Sequence, residues 1–172
     1  LSRCRIMRDG GASGMPRLSE ARQSECEGCA SPTGNRAGRT IGVGPRYFTA
    51  LGLPVRRGRA ITERDTATSL PVGVISEIHA ATCWPGQDPV GRRFRLGQDA
   101  RTPWITVVGV VPNTMVSRVF PEALQPIYLP YEQHGALPGS LLVRSDGDVA
   151  ALIGGIRTAI RAVDPTQPLE IL

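Results

Sequence analysis

The clearest apolar pattern lies in residues 71–111, which read PVGVISEIHAATCWPGQDPVGRRFRLGQDARTPWITVVGVV. The apolar run over 72–75 predicts a buried strand, and Ser76 offers an oxygen that can cap the first turn of a following helix. The Trp-Pro-Gly run at 84–86 predicts the end of that helix, because proline cannot continue it. A Gly-Arg strand and a second apolar strand, ending at Val111, complete a stretch that predicts a scaffold and contains no visible chemistry.

Shorter elements are predicted between residue 40 and this central stretch. Residues 41–43 predict a strand, and the apolar spacing of residues 47–51 predicts one short amphipathic helix closed by a glycine. Residues 53–59 have the composition of an edge strand. Thr62, followed three residues later by Asp65, resembles a capping arrangement for one helical turn.

The strongest helical periodicity lies near the C-terminus. Residues 152–163 place Leu, Ile, Ala and Val on one face and two arginines on the other. Asp148 is the expected N-cap, and the Asp-Pro pair at 164–165 is the expected stop. Strands are predicted around this helix at 126–131, 140–144 and 169–172. The final strand, helix and strand predict a βαβ unit, right-handed if its strands are parallel.

Residues 1–39 show no comparable pattern. They are rich in Gly, Ser, Arg and Pro, and no apolar residue recurs at helix or strand spacing for more than a few positions. We therefore expect an irregular or mobile leader before the ordered part.

The composition indicates a globular protein but does not indicate a particular function. The chain has 172 residues, 41% of them hydrophobic and 20% charged, as in ordinary globular proteins. No apolar run approaches the length of a membrane span, and the start lacks the apolar core of a secretory signal. The first residue is Leu1, so we interpret the chain as a piece of a longer protein. The net charge is +5 and all twenty basic residues are arginine, a bias that genomic base composition explains without function.

Four cysteines, at positions 4, 26, 29 and 83, raise the question of metal or redox chemistry. Cys26 and Cys29 form a CxxC spacing, but the other cysteines and the two histidines supply no second ligand pair at zinc spacing. We expect no metal site, no cofactor and no disulfide framework. Whether Cys26 and Cys29 are joined stays open, and Cys83 is interpreted as a small buried apolar residue.

Ser76 with His79 forms the one candidate catalytic pair, as a small hydrolase would need a serine near a base. The surrounding GVISE is not G-x-S-x-G, and helix capping explains the serine more simply. Two arginine clusters, at 56–59 and 92–95, are candidates for phosphate contact. Strand alternation splits each cluster over two faces, and Asp65 and nearby acids are expected to pair with them, so no nucleic-acid partner is expected.

The ordered part as a whole resembles a known family. The resemblance follows the family's order and spacing through most of residues 40–172, in the segments VGPRYFTALGLP (43–54), RGR (57–59), TERD (62–65), PVGVISE (71–77), WPGQDPVGR (84–92), VVGVV (107–111), IYLPY (127–131) and the helix ending in DP (164–165). These segments are similar to the MacB-like periplasmic core domain of ABC-transporter permeases, within the FtsX-like, tandem orphan permease branch.

The resemblance implies an α+β fold of two mixed lobes, one with the split βαβ units of porter domains. Residues 40–135 would form the inserted mixed lobe and residues 136–172 the βαβ part of the porter-like lobe. Relatives enter this pattern from an ordered segment, which residues 1–39 do not show. The domain would lie between two transmembrane helices, on the periplasmic side of the bacterial inner membrane.

The resemblance also implies a function without catalysis. A separate cytoplasmic ATPase subunit would drive the permease indirectly, through its transmembrane helices, and this domain would relay the motion or contact exported cargo or a periplasmic partner. No catalytic, cofactor-binding or metal-binding residue is implied. A free-standing lipid- or peptide-binding adaptor is the alternative, followed by the hydrolase with Ser76 and His79.

Overall fold

The computed structural model describes residues 3–6, 21–28, 36–97, 99–113, 125–134, 140–145, 147, 149–165 and 169–171. The strands in these residues are β1 (Arg3–Ile6), β2 (Ala21–Cys26), β3 (Arg36–Val43), β4 (Arg57–Gly58), β5 (Val72–Ser76), β6 (Arg93–Leu96), β7 (Ile105–Val111), β8 (Gln125–Pro130), β9 (Ser140–Leu142) and β10 (Leu169–Ile171). The helices are α1 (Tyr47–Leu51), α2 (Glu77–Cys83), α3 (Tyr131–His134) and α4 (Val149–Val163). None of the described helices is long and apolar enough to cross a membrane.

The chain divides into two compact units. One unit consists of residues 16–135, and the other combines residues 1–15 with residues 136–172. The second unit is thus formed by both ends of the described chain.

The unit of residues 16–135 is built on a mixed sheet with the strand order β4-β7-β5-β8-β3-β2-β6. Strand β6, at one end of this order, pairs with β2 and also with β7, which lies next to the other end, so the sheet curls and closes between β6 and β7. The parallel pairs are β3 with β8 and β5 with β7, and the remaining pairs are antiparallel. Closing a sheet in this way removes exposed strand edges, which are otherwise prone to pair with other chains.

Alternating side chains of the central strands contribute to two hydrophobic clusters. In β5, Val74 belongs to the cluster that includes Phe48 of α1, whereas Ile75 belongs to the cluster that includes Trp84 after α2. Val74 and Ile75 are both 0% exposed, as expected for a strand that is covered on two faces. The predicted buried strand over 72–75 is confirmed.

Local signals account for the helix ends. Ser76 caps α2 by accepting a hydrogen bond from the backbone N–H of His79 at 3.4 Å, and the helix ends at Cys83 with Trp84 as its C-cap, before Pro85. Gly52 follows α1 with a φ of 66°, in the left-handed region that glycine enters at little cost. The predicted cap and stop of α2 and the glycine that ends α1 are confirmed.

The second unit contains a sheet with the order β10-β1-β9, in which β1 is antiparallel to both neighbours. Strands β9 and β10 are therefore parallel to one another and are joined through α4, with β1 between them. This is a split βαβ arrangement, and with the mixed sheet of the first unit it confirms the expected α+β fold.

Three expectations need correction. Within residues 1–39, the segments 3–6, 21–26 and 36–39 are strands. Each lacks an apolar pattern of its own and pairs with at least one strand far along the chain: β1 with β9 and β10, β2 with β6, and β3 with β8. The expected edge strand over 53–59 is reduced to Arg57–Gly58, and the expected strand over 126–131 ends at Pro130, because Tyr131 begins α3. Asp148, the expected cap of α4, lies outside the described residues.

Gly109 of β7 offers a test of how closely β4 and β7 approach. A Cβ atom at this position would lie 2.2 Å from the backbone oxygen of Arg59, so the chain must shift to accept it. We expect Gly109→Ala to lower the free energy of unfolding in urea by about 1–3 kcal/mol. The matched control is Gly44→Ala, where a Cβ meets nothing within 4 Å and the free energy should hardly change. Equal losses in both variants would contradict the close approach.

Candidate functional site

Ser76 and His79, the candidate catalytic pair, lie at the junction of β5 and α2. Both residues are 0% exposed, and the Ser76 oxygen accepts the His79 backbone N–H that it caps. A nucleophile must reach its substrate, and this oxygen is enclosed in the core. The arrangement therefore supports helix capping rather than hydrolysis.

The His79 ring is oriented by its neighbours. Gln125 donates its amide N–H to Thr82 Oγ1 at 3.5 Å, which leaves Gln125 Oε1 to accept from His79 Nδ1 at 3.0 Å. In a neutral ring the proton then sits on Nδ1, and Nε2 faces Cys83 Sγ at 3.5 Å. Phe94 packs edge-on against the ring, with 5.9 Å between ring centroids.

Cys83 is disulfide-bonded to Cys26, across a Cα–Cα distance of 5.8 Å. This corrects the interpretation of Cys83 as only a small buried apolar residue. It also answers the question left open for Cys26, whose partner is Cys83 rather than Cys29. The bond joins the last residue of β2 to the last residue of α2. Cysteine pairing could not be deduced from the sequence, because four cysteines allow several connectivities.

Further contacts hold the ends of β2 and α2 together. The indole N–H of Trp84 donates to the backbone oxygen of Glu27 at 2.9 Å, and the backbone N–H of Glu27 donates to Arg93 O at 2.9 Å. Trp84 is 2% exposed, so its N–H needs such a partner.

Charged side chains form a ladder across β2 and β6. Arg95 donates from Nε to Glu25 at 2.7 Å, and Arg93 donates from Nε to Glu27 at 2.8 Å. Both guanidinium groups lie over the ring of Trp104, with Cζ at 5.0 Å for Arg95 and 5.8 Å for Arg93 from the centroid. The hydrogen bond from Arg93 lowers the pKa of Glu27 below its ordinary value. We call Glu25, Glu27, Arg93, Arg95 and Trp104 the arginine ladder.

The other arginine cluster is held by a buried carboxylate. Arg59 donates two hydrogen bonds to Asp65, both at 2.8 Å, and the Asp65 side chain is only 5% exposed. Thr62 donates both its backbone N–H, at 2.7 Å, and its hydroxyl, at 3.0 Å, to the same carboxylate. These bonds, that of Arg59 above all, lower the pKa of Asp65. The predicted pairing of Asp65 is confirmed, in a turn rather than a helix.

Comparison with known proteins decides the family. The family of MacB-like periplasmic core domains matches residues 13–167. The chain belongs to this family. The MacB-like domain is accordingly a periplasmic domain of the MacB-like and FtsX-like class of ABC-transporter permeases, as the resemblance implied.

Individual relatives agree with this assignment. The macrolide export ATP-binding/permease protein MacB of Aggregatibacter actinomycetemcomitans is 28% identical over 118 residues, or 65% of this chain. The chain spans 18% of that protein's length. The crystal structure of the periplasmic region of MacB from Actinobacillus actinomycetemcomitans has a TM-score of 0.65 and 17% identity, covering 99% of this chain and 87% of that chain.

A second solved structure comes from Gram-positive bacteria. The extracellular domain of the ABC-type transporter YknZ has a TM-score of 0.61 and 14% identity, covering 99% of this chain and 80% of that chain. Both structural likenesses establish the fold of the MacB-like domain.

Sequence reasoning missed the acidic half of the arginine ladder. Ser24 and Cys26 are buried while Glu25 is exposed, an alternation that is typical of a strand. The spacing of Glu25 and Glu27 also matches that of Arg93 and Arg95, as cross-strand pairs require. Each of these signals covers only two or three residues of the MacB-like domain, which is too few to predict a strand or its partner.

The cysteine pairing can be tested by peptide mapping under non-reducing conditions. We expect a linked pair of peptides that contains Cys26 and Cys83, unchanged in Cys29→Ser. The Cys83→Ser variant should lack the linked peptide pair. Its free energy of unfolding should be lower by about 2–4 kcal/mol, because the missing disulfide closes a loop of 57 residues. A link between Cys26 and Cys29 would contradict the structure.

The Asp65 contacts predict a pH dependence of stability. Because the pKa of Asp65 is lowered in the folded state, its contribution is present above the ordinary aspartate pKa and is lost as pH falls through the folded value. Asp65→Asn should therefore cost about 1–3 kcal/mol near neutral pH, and the difference from wild type should shrink in acid. Urea unfolding across a pH series measures this.

Glu63→Gln serves as the matched control, since this carboxylate is exposed in the same turn. Its effect on the free energy of unfolding should stay within about 0.5 kcal/mol. A difference between Asp65→Asn and wild type that persists unchanged in acid would contradict the ionic origin of the effect.

Proposed function

We propose that this domain relays ATP-driven motion of the permease to the periplasmic side, where it contacts exported cargo or a periplasmic partner. The observation that carries the proposal is the pairing of β1 with β10. These strands are antiparallel neighbours, with Cys4 opposite Ile171. The start of β1 and the end of β10 therefore lie at the same end of one sheet.

This pairing suits a domain inserted between two transmembrane helices of the same permease. Segments that continue from Arg3 and from Ile171 would leave the sheet side by side. Movement of two such helices would act on adjacent strands joined by backbone hydrogen bonds, so the sheet would receive it directly. The ATPase, on the cytoplasmic side, would act only through these helices.

The unit of residues 16–135 has the rigidity that a relay needs. Its curled sheet closes through β6, and the disulfide of Cys26 with Cys83 joins that sheet to α2. Packed cores transmit displacement because they resist compression. A unit built in this way would move as one body.

The states of Ser76 and of the paired arginines argue against hydrolysis and against nucleic-acid binding. Ser76 is occupied as a helix cap, and Arg59, Arg93 and Arg95 of the two clusters are paired with carboxylates. Paired arginines have less charge to offer a nucleic-acid backbone, and we expect no nucleic-acid partner. We place the domain on the periplasmic side of the bacterial inner membrane.

The relay can be tested in the full-length permease, reconstituted with its ATPase in lipid nanodiscs. One spin label replaces Ala67, an exposed residue of the 16–135 unit, and a second is placed at the periplasmic end of a flanking transmembrane helix. Cys4 and Cys29 are replaced by serine. We expect the distance distribution from pulsed electron paramagnetic resonance to shift between the nucleotide-free and vanadate-trapped states.

A label pair within the unit, at Ala67 and Thr49, is the matched control and should keep one distribution in both states. An ATPase variant unable to bind nucleotide should abolish the shift. If the domain and helix labels hold a fixed distance through the cycle, the relay is refuted. Saturable binding of the isolated chain to peptides or vesicles in that case would favour the adaptor.

A further inference from the structure

We propose that Cys26, His79 and Cys83 form a zinc-binding site when the disulfide is reduced. The sulfur atoms and a ring nitrogen of the histidine all lie within 4.8 Å of one another. Zinc bonds to sulfur at about 2.3 Å and to imidazole nitrogen at about 2.0 Å, which sets neighbouring ligand atoms about 3.5 Å apart. The two sulfur atoms are joined in the disulfide and must move apart on reduction, whereas Nε2 of His79 already lies 3.5 Å from the Cys83 sulfur, the separation that a shared ion needs.

The two ligands on α2 have the right spacing and direction. His79 and Cys83 are four residues apart on one helix, so they share a face. The hydrogen bond from Nδ1 to Gln125 Oε1 leaves Nε2 directed at the Cys83 sulfur, 3.5 Å away. A carbonyl oxygen that holds the remote nitrogen of a ligating histidine fixes both its orientation and its tautomer. Gln125 would fill that role here.

The burial and the charge of the three ligands favour Zn²⁺ over a monovalent ion. Cys83 is 1% exposed, His79 is 0% exposed and Cys26 is 8% exposed. Two thiolates balance the charge of Zn²⁺, whereas a monovalent copper ion would leave one net negative charge in the core, which is costly.

The disulfide and the zinc ion use the same sulfur atoms, so they exclude one another. A phosphine or dithiol reductant supplies two electrons, two protons enter from solvent, and the disulfide becomes two thiols. Zinc binding then releases both thiol protons to solvent and leaves the oxidation state of the metal unchanged. Zinc would hold the β2 and α2 ends together in the reduced chain as the disulfide does in the oxidised chain.

The test uses the chain with Cys4→Ser and Cys29→Ser, so that only Cys26 and Cys83 can supply thiolates. The chain is reduced with a phosphine, desalted without oxygen and titrated with zinc chloride against a chromophoric chelator. We expect one zinc ion per reduced chain and none per oxidised chain. Cobalt in place of zinc should give a thiolate-to-metal charge-transfer band.

Variants distinguish a specific zinc site from non-specific binding of zinc to free thiols. His79→Asn and Cys83→Ser should abolish stoichiometric binding, and Gln125→Ala should weaken it by about 10–100-fold. His134→Asn changes the other histidine of the chain and should leave the affinity unchanged. Circular dichroism of each reduced sample reports whether it is folded.

Several results would overturn the proposal. These are the absence of stoichiometric zinc, equal zinc affinity in His79→Asn, or zinc bound only by a reduced chain that has unfolded. A parallel titration with monovalent copper alone tests which ion the reduced chain prefers. Binding of copper without binding of zinc would refute the zinc assignment. The inference does not depend on the proposed relay.

Discussion

The structure of the larger unit depends on one constraint, the double pairing of β6. This strand bonds to β2 on one side and to β7 on the other, and without either pairing the sheet would be open. Strand β2 provides one of these two pairings, although it lies in a segment with little apolar character. This position explains the number of contacts at its end: a disulfide, an indole hydrogen bond and the ion pairs of the arginine ladder.

These contacts differ in how much stability they can provide. The ion pairs of the arginine ladder involve side chains that are partly exposed, and such pairs contribute little in water. Their geometry over Trp104 instead fixes the register between β2 and β6, since a shift by one residue would exchange the paired and buried faces. The disulfide and the buried faces of Phe94 and Trp84 supply the stability, and the charges supply the alignment.

Local patterns in the sequence predict a large part of this fold. The strand over 72–75, the Ser76 cap and the Trp-Pro-Gly stop each depend on neighbouring residues, and all three are confirmed. Strand β2 was not predicted because Ser24 and Cys26 make its buried face look polar and because its partner β6 lies far along the chain. The spacing of His79 and Cys83 places both on one face of α2, but the approach of Cys26 to them is a tertiary event that no spacing encodes.

The order of strands in the smaller unit has a consequence for biogenesis. Strand β1 is made first, yet both of its neighbours, β9 and β10, are among the last described residues of the chain. A ribosome or a translocation pore that delivers the chain from its N-terminus must therefore release β1 long before its partners exist. Residues 16–135 have all their sheet partners among themselves and can fold during that interval. The three-stranded sheet is thus the last part to assemble, and a chain interrupted before Leu169 leaves one side of β1 without its partner strand.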